Sequence, residues 1–366
     1  MKDKIYWVWL SQIEGLGPIK IKRLIDYFDS PKEVWQTDKK KLKRVKGIGE
    51  KTSEKILLSK AGFDLNIEFN KIKKSRLKLV TLKDKCYPNL LKEIYDAPTV
   101  LYYKGDLKAL NKPSLAIVGT RECSNYAKKV AYRLGYRLAQ EGIPIVSGMA
   151  LGVDTLAHQG AIESGLTYAI LGSGLDYIYP YQNRNLYSKI INNGAVISSF
   201  PLGTKPEKKN FPCRNRIISG LTMGTIVVEA PKRSGALITA NFALEQGREV
   251  YAIPGDITRK SNYGSNKLIQ EGAKLVQEIS DIVEEIKFNF LNKEKTLFSG
   301  VENKAIKKLT KIERKVYNLI KERNLHYEEI MQKLGFNPKK LSKILIELEL
   351  KGVINKDIKN NFRVIK

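Results

Sequence analysis

Short apolar runs alternate with amphipathic stretches through the middle of this 366-residue chain. Leu115–Val118, Ile143–Val146, Tyr168–Leu171, Ala195–Ser198, Thr225–Val228 and Glu249–Ile253 have the length and near-continuous apolarity of strands buried on both faces. Between them, Tyr126–Gln140 and Thr155–Glu163 carry helical periodicity. Strand and helix in alternation predict an α/β domain over 114–286, built on a doubly wound parallel sheet. Glycine and polar residues gather just after the strand ends, at Gly119-Thr-Arg121, Ser147-Gly148 and Gly172-Ser-Gly174. Open sheets of this kind bind ligands at that carboxyl edge.

The two ends follow other patterns. Gly15-Leu-Gly-Pro-Ile-Lys-Ile-Lys-Arg-Leu-Ile25 and Gly47-Ile-Gly-Glu-Lys-Thr-Ser-Glu-Lys-Ile56 both read as glycine-apolar-glycine turns entering helices. The pair resembles tandem helix-hairpin-helix units, whose turns present backbone N–H groups to DNA phosphates. A plain helical domain with glycine caps fits the same residues. The expectation is a small helical (helix-hairpin-helix or SAM-like) domain over 1–70 and an irregular basic connector over 71–113. Residues 287–308 are polar and weakly patterned, which predicts a linker. Beyond them Ile312–Lys321, Tyr327–Leu334 and Pro338–Leu350 read as helices, with Leu341, Ile344, Leu345 and Leu348 on one stripe. A two-stranded hairpin over Val353–Ile365, turning near Lys359-Asn-Asn361, completes a winged-helix outline for 309–366. Lys339, Lys340 and Lys343 stand where a recognition helix meets DNA, although a protein-binding winged helix or a solvated basic face would show the same residues.

Charge sharpens this division. The chain holds 65 Lys+Arg against 38 Asp+Glu, a formal net charge of +27. Residues 1–85 carry +11 and residues 303–366 carry +10, which leaves +6 for the 217 residues between them. The ends look like electrostatic grips, and the middle must bind anions with a few placed groups. A lysine-rich compositional bias alone would give the same total. Cys86, Cys123 and Cys213 lack metal-ligand spacing and read as reduced thiols of a cytoplasmic protein. With only His158 and His326, no histidine metal centre is expected. The apolar run Ile5–Leu10 is too short to span a bilayer, so no membrane partner is expected.

The candidate chemistry lies in Phe211-Pro-Cys-Arg-Asn-Arg-Ile-Ile-Ser-Gly-Leu-Thr222. It puts two guanidinium groups, Arg214 and Arg216, around Asn215, with Lys208 and Lys209 just before. A guanidinium donates from a rigid fork that suits phosphate. Phe211 offers a face on which a base could stack, and equally reads as a core anchor. Ser234-Gly235-Ala236-Leu237 looks like a helix start, with free N–H groups for an anion. Gly119-Thr120-Arg121 makes a second phosphate cradle at a strand end. The topology is Rossmann-like, yet Gly-x-Gly-x-x-Gly and a Walker A lysine loop are both missing, so no nucleotide cofactor is implied. Asp154 and His158, four apart, could form a catalytic or metal pair. The favoured reading is a capping Asp154 and a packed His158.

In order along the chain come Val118-Gly-Thr-Arg121, Ser147-Gly-Met-Ala-Leu-Gly-Val-Asp154, Gly174-Leu-Asp-Tyr-Ile-Tyr-Pro180, Phe211-Pro-Cys-Arg-Asn-Arg-Ile-Ile-Ser-Gly220 and Ser234-Gly-Ala-Leu-Ile-Thr-Ala240. Beyond these stand Ile253-Pro-Gly255 and Gly264-Ser-Asn-Lys-Leu-Ile-Gln-Glu-Gly-Ala273. Together they resemble the DNA-processing protein A (DprA/Smf) family across 115–285. One departure is Ser147-Gly148-Met149, where members often have Ser-Gly-Gly. The resemblance implies a homodimer that binds and protects incoming single-stranded DNA in natural transformation. It also implies loading of the RecA recombinase in the presence of single-strand-binding protein, without covalent catalysis, metal or cofactor. It maps the DNA pocket onto Gly119, Arg121, Lys208, Phe211, Arg214, Asn215 and Arg216, with Ser234 and Gly235 as the adjoining helix start. Arg121, Arg214 and Arg216 would hold phosphates, Asn215 the loop, and Phe211 a base. The alternative is a nucleotide phosphoribohydrolase-like enzyme on the same scaffold. Such enzymes carry Pro-Gly-Gly-x-Gly-Thr with a catalytic Glu beyond it; here the corresponding stretch is Glu229-Ala-Pro-Lys-Arg-Ser-Gly235, which lacks that loop, and Glu245, the acid on offer, reads more simply as part of a solvated helix face.

Overall fold

The computed structural model describes residues 3–286, 309–322, 325–350, 353–356 and 361–364. The expected linker over 287–308 and the turn expected near Lys359 lie outside the described residues. The chain divides into two compact units, Met1–Val283 and Glu284–Lys366.

In the first unit, six helices precede the sheet: α1 (Lys4–Gln12), α2 (Pro18–Phe28), α3 (Pro31–Gln36), α4 (Lys39–Leu42), α5 (Glu50–Ala61) and α6 (Leu65–Lys74). Both glycine-apolar-glycine turns lead into helices: Gly17 flanks α2, Gly49 flanks α5, and the apolar residues Leu16 and Ile48 are buried between them. Pro18 opens α2, where its missing N–H costs nothing. This helical front shares a core with the sheet, since Val8, Leu10 and Ile72 pack in one cluster with Leu79, Tyr102 and Val196. Lys4 Nζ reaches across to Leu79 O (3.0 Å) and the Asp84 carboxylate (2.7 Å).

The sheet contains β1 (Lys78–Thr81), β2 (Val100–Gly105), β3 (Leu115–Val118), β4 (Ile145–Ser147), β5 (Thr167–Leu171), β6 (Gly194–Ser198), β7 (Gly224–Val227), β8 (Glu249–Ala252) and β9 (Lys274–Leu275), ordered β1-β2-β6-β5-β4-β3-β7-β8-β9. From β6 to β9 every neighbouring pair is parallel. β2 joins β6 antiparallel, and β1 joins β2 the same way. The stretch 71–113 is therefore no simple connector, because it contributes two strands. Lysines at positions 78, 83, 85 and 104 obscure them in the sequence, while Leu79, Val80 and Val100–Tyr102 are buried. The parallel strands β3 to β7 are buried at every position, as near-continuous apolar runs require.

Helices cover the faces: α7 (Asn89–Glu93), α8 (Asn125–Gln140), α9 (Val153–Ser164), α10 (Arg184–Asn192), α11 (Asn210–Gly220), α12 (Gly235–Glu245) and α13 (Tyr263–Gln270). Ser124 starts α8 by accepting the Ala127 N–H, and Ala127, Ala131, Leu134 and Leu138 form its buried stripe. The chain runs from β3 to β4 on one side, and β7 returns on the other side of β3. A topological switch point thus lies beyond the carboxyl ends of β3 and β7.

The second unit contains α14 (Lys311–Glu322), α15 (Tyr327–Leu334) and α16 (Pro338–Leu350), with β10 (Leu325–His326), β11 (Ile354–Lys356) and β12 (Asn361–Val364). Leu341, Ile344, Leu345 and Leu348 are buried together, as their spacing predicts. The wing differs from the two-stranded expectation, since β10 pairs with β12 and makes the sheet three-stranded. Two residues are too few to carry a periodic signal.

Candidate functional site

A cavity of about 390 Å³ opens at the switch point. The loop after β3 lines it with Gly119, Thr120, Arg121 and Glu122, and the segment after β7 adds Pro231, Arg233, Ser234 and Gly235. Helix α11 adds Phe211, Arg214, Asn215 and Ile218.

Those four residues stand at i, i+3, i+4 and i+7, one face of a helix. Arg214-Asn-Arg216 lies inside a helix, because α11 already begins at Asn210. Pro212 hides this start, yet proline fits a first helical turn, where its N–H would have no partner. Helix geometry then separates the two arginines, because residues two apart point in different directions. Arg214 enters the cavity wall. Arg216 leaves it, and its Nη1 bonds the Asp96 carboxylate (2.9 Å) and the Asp96 carbonyl (2.7 Å).

Arg214 is nearly enclosed, at 6% exposure. Its Nη1 donates to Gly148 O and Ile170 O, both at 2.5 Å, and its Nε donates to Asn215 Oδ1 at 3.1 Å. One guanidinium therefore ties the ends of β4 and β5 to α11. Gly148 makes room for it, since a Cβ there would lie 2.2 Å from Nη1. The next residue, Met149, holds φ at 57°, a left-handed conformation that favours glycine. Its side chain is fully buried in the core, and that burial offsets the backbone cost. Burial pushes the Arg214 pKa down to about 10, against the attraction of Asp154 and with the help of Arg121, so the group remains a cation at neutral pH.

Asp154 also lines the cavity, and its carboxylate accepts the N–H groups of Gly148 (3.1 Å) and Ala150 (3.4 Å). It braces the preceding loop from the first turn of α9. Burial raises its pKa, opposed by Arg214 and these N–H groups. His158 does not join it in a catalytic pair. Its Nδ1 meets Thr167 Oγ1 at 2.7 Å, and burial with the nearby Arg214 charge drives its pKa down to about 3.

Two cations approach the Phe211 ring. Arg121 lies 5.6 Å and Arg214 5.9 Å from its ring centroid, and Tyr179 packs at 5.8 Å. Gly172 permits this position, because a Cβ would come within 2.9 Å of the ring. A smaller cavity of about 40 Å³, lined by Leu151, Ser173, Tyr179 and Pro180, adjoins the same ring. Arg121 is exposed, as is Arg233. Ser234 caps α12 by accepting the Ala236 N–H at 3.2 Å, and Asn215 Nδ2 donates to Gly235 O at 3.1 Å. Helix α11 is thereby tied to the start of α12.

The structure brings together Gly119, Arg121, Phe211, Arg214, Asn215, Ser234 and Gly235. Arg216 and the exposed Lys208 are not among the lining residues, and neither is Glu245 at the end of α12. Arg233 and Tyr179 escape sequence reasoning, although both lie inside or beside the motifs that point to the site. The place of Arg233 directly before the cap is the signal that could have found it. Among the described residues, no helix is long and apolar enough to cross a membrane.

Comparison with known proteins bears on the fold and the family. The family model "DNA recombination-mediator protein A" matches residues 78–287, which is more than half of the chain. The chain belongs to the DprA/Smf family. A "SAM-like Helix-hairpin-helix tandem" matches residues 10–59 and a "DprA winged helix domain" residues 302–356. The chain is 47% identical over 209 residues to DNA processing protein DprA of Streptococcus pneumoniae, covering 57% of this chain and 74% of that one. To protein Smf of Synechocystis it is 38% identical over 279 residues, covering 75% and 70%. The X-ray structure of the pneumococcal DprA superposes with a TM-score of 0.69 at 39% identity, over 78% of this chain and 99% of that one. DprA of Helicobacter pylori, a structure described for its single-stranded DNA binding mode, gives a TM-score of 0.53 at 30% identity over 58% and 97%. The α/β domain, the helical front and the winged-helix unit are thus those of this DNA-processing family.

Proposed function

We propose that the cavity at the switch point binds single-stranded DNA, and that the protein, as a homodimer, shields incoming strands and passes them to the RecA recombinase alongside single-strand-binding protein. The observation that carries this reading is the Phe211 ring with Arg121 and Arg214 at 5.6 and 5.9 Å from its centroid, beside the start of α12. An aromatic face among cations suits a stacked base and its phosphates, and duplex DNA offers no free base face. Arg121, which is exposed, moves from the ring to a phosphate when a base arrives. Arg214 stays, since its hydrogen bonds to Gly148 and Ile170 fix it. Arg233 and the first turn of α12 receive the next phosphate. Contacts of this type carry little base preference. The single-stranded DNA binding mode described for the Helicobacter pylori relative supports the same reading.

The test is fluorescence anisotropy of the full chain with a labelled single strand and its duplex across a salt series. A preference for the single strand that persists to physiological salt is the expected result. Equal binding of both, lost together as salt rises, would shift the function to the basic ends.

A further inference from the structure

Residues 120–126, which run from the loop after β3 into the first turn of α8, line two cavities. Thr120, Arg121 and Glu122 line the first. Ser124, Asn125 and Tyr126 line a second, of about 510 Å³, whose other wall is Pro254-Gly-Asp256 with Arg259 and Asn262. Only Cys123 separates the two sets, so about 7 Å of chain joins them.

Like the first, the second cavity is lined by an aromatic ring and an arginine, Tyr126 and Arg259. Tyr126 is 51% exposed, and its hydroxyl donates to Pro254 O at 3.2 Å. The Arg259 side chain is exposed and faces the Asp256 carboxylate at 3.7 Å. That carboxylate is already engaged, accepting the Thr258 N–H at 2.9 Å and the Thr258 hydroxyl at 2.7 Å. An exposed ion pair this long holds an arginine weakly, leaving it available to another anion. The wall behind is rigid: Asn266 accepts the Gly255 N–H (3.0 Å) and donates to the Gly255 carbonyl (2.9 Å), while Asn262 donates to Asp256 O (3.1 Å). A second link joins the cavities. Lys232, next to Arg233 of the first, lies 5.6 Å from the ring centroid of Tyr263, next to Asn262 of the second.

We infer that the second cavity is a further nucleotide subsite for the same single strand, with a base on Tyr126 and a phosphate on Arg259. The strand passes over Arg121 from one cavity to the other. This rests on the reading of the first cavity as a single-strand site, and the test separates the two.

Anisotropy of the full chain is measured with a thymidine dinucleotide, too short to leave the first cavity, and a thymidine dodecanucleotide. Tyr126→Ala and Arg259→Ala are expected to weaken the longer oligonucleotide about tenfold and leave the shorter one unchanged. Tyr126→Phe keeps the ring and should bind like the parent, and Arg259→Ala should flatten the log–log salt slope by about 0.7. Thermal unfolding checks that each variant is folded. Unchanged binding of both lengths by Tyr126→Ala and Arg259→Ala, while Arg121→Ala weakens both, overturns the second subsite and leaves the first standing. Equal losses on both lengths, or a Tyr126→Phe as weak as Tyr126→Ala, also overturn it, because the ring would then be supporting the loop. Failure of the parent protein to bind either oligonucleotide overturns the single-strand reading itself, and the subsite with it.

Discussion

The helical front and the central cavity handle positive charge in opposite ways. The first 85 residues carry +11, spread over exposed lysines that pair with exposed carboxylates: Lys39 with Glu50 and Glu54, and Lys43 with Glu50. Such pairs contribute little to stability and are screened by salt. The cavity uses far fewer cations, and Arg214 among them is buried, held by two strand-end carbonyls and an asparagine. Abundant mobile charge gives a salt-sensitive attraction to any polyanion. A few placed guanidiniums give a site.

The sharpest way to break this comparison is Arg214→Ala. Removing a buried, hydrogen-bonded charge leaves the carbonyls of Gly148 and Ile170 without their partner and Asp154 without its attracting cation, so a loss of about 3–5 kcal/mol in denaturant unfolding is expected. Single-strand binding should disappear with it. Arg214→Lys should rescue neither, since an ammonium cannot reproduce the fork.

His158 gives the next largest effect, read as pH dependence. Its folded pKa is depressed from 6.5 to about 3, so the unfolded chain takes up a proton that the folded chain refuses. The stability it contributes is complete above pH 6.5 and is lost as pH falls towards 3. Asp154 acts in the opposite sense, because burial raises its pKa and its contribution falls as pH rises. Thermal melts of the parent and of His158→Gln between neutral and acid pH isolate the histidine. The variant should lose less stability on acidification.

Arg121→Ala should weaken single-strand binding about tenfold and reduce the salt slope by about 0.7 per lost phosphate contact, with the melting temperature unchanged. An altered melting temperature would show that the exposed arginine is structural. The smallest effect on binding is expected from Arg216→Ala. Its guanidinium is held by Asp96, so affinity should stay within about twofold, while stability falls by about 1–2 kcal/mol. A loss of binding as large as that of Arg121→Ala would return Arg216 to the cavity.

Much of this molecule is legible in its sequence. The six central apolar runs fall on β3 to β8, because strands buried on both faces need continuous apolarity. The stripe of Leu341, Ile344, Leu345 and Leu348 falls inward, and Ser234 caps α12, since both features depend on neighbours a few residues away. Lysine-rich composition hides the strands β1 and β2, because short antiparallel strands at this end of the sheet are defined by their partners across it and not by their own pattern. The arginine motif shows the limit most clearly. Local sequence supplies two guanidiniums around an asparagine, and nothing in it says which one faces the ligand. That depends on where α11 begins and on which of its faces meets Gly148, Ile170 and Gly235, residues 20 to 66 positions away. Helical periodicity separates Arg214 from Arg216, and only long-range packing sets the phase.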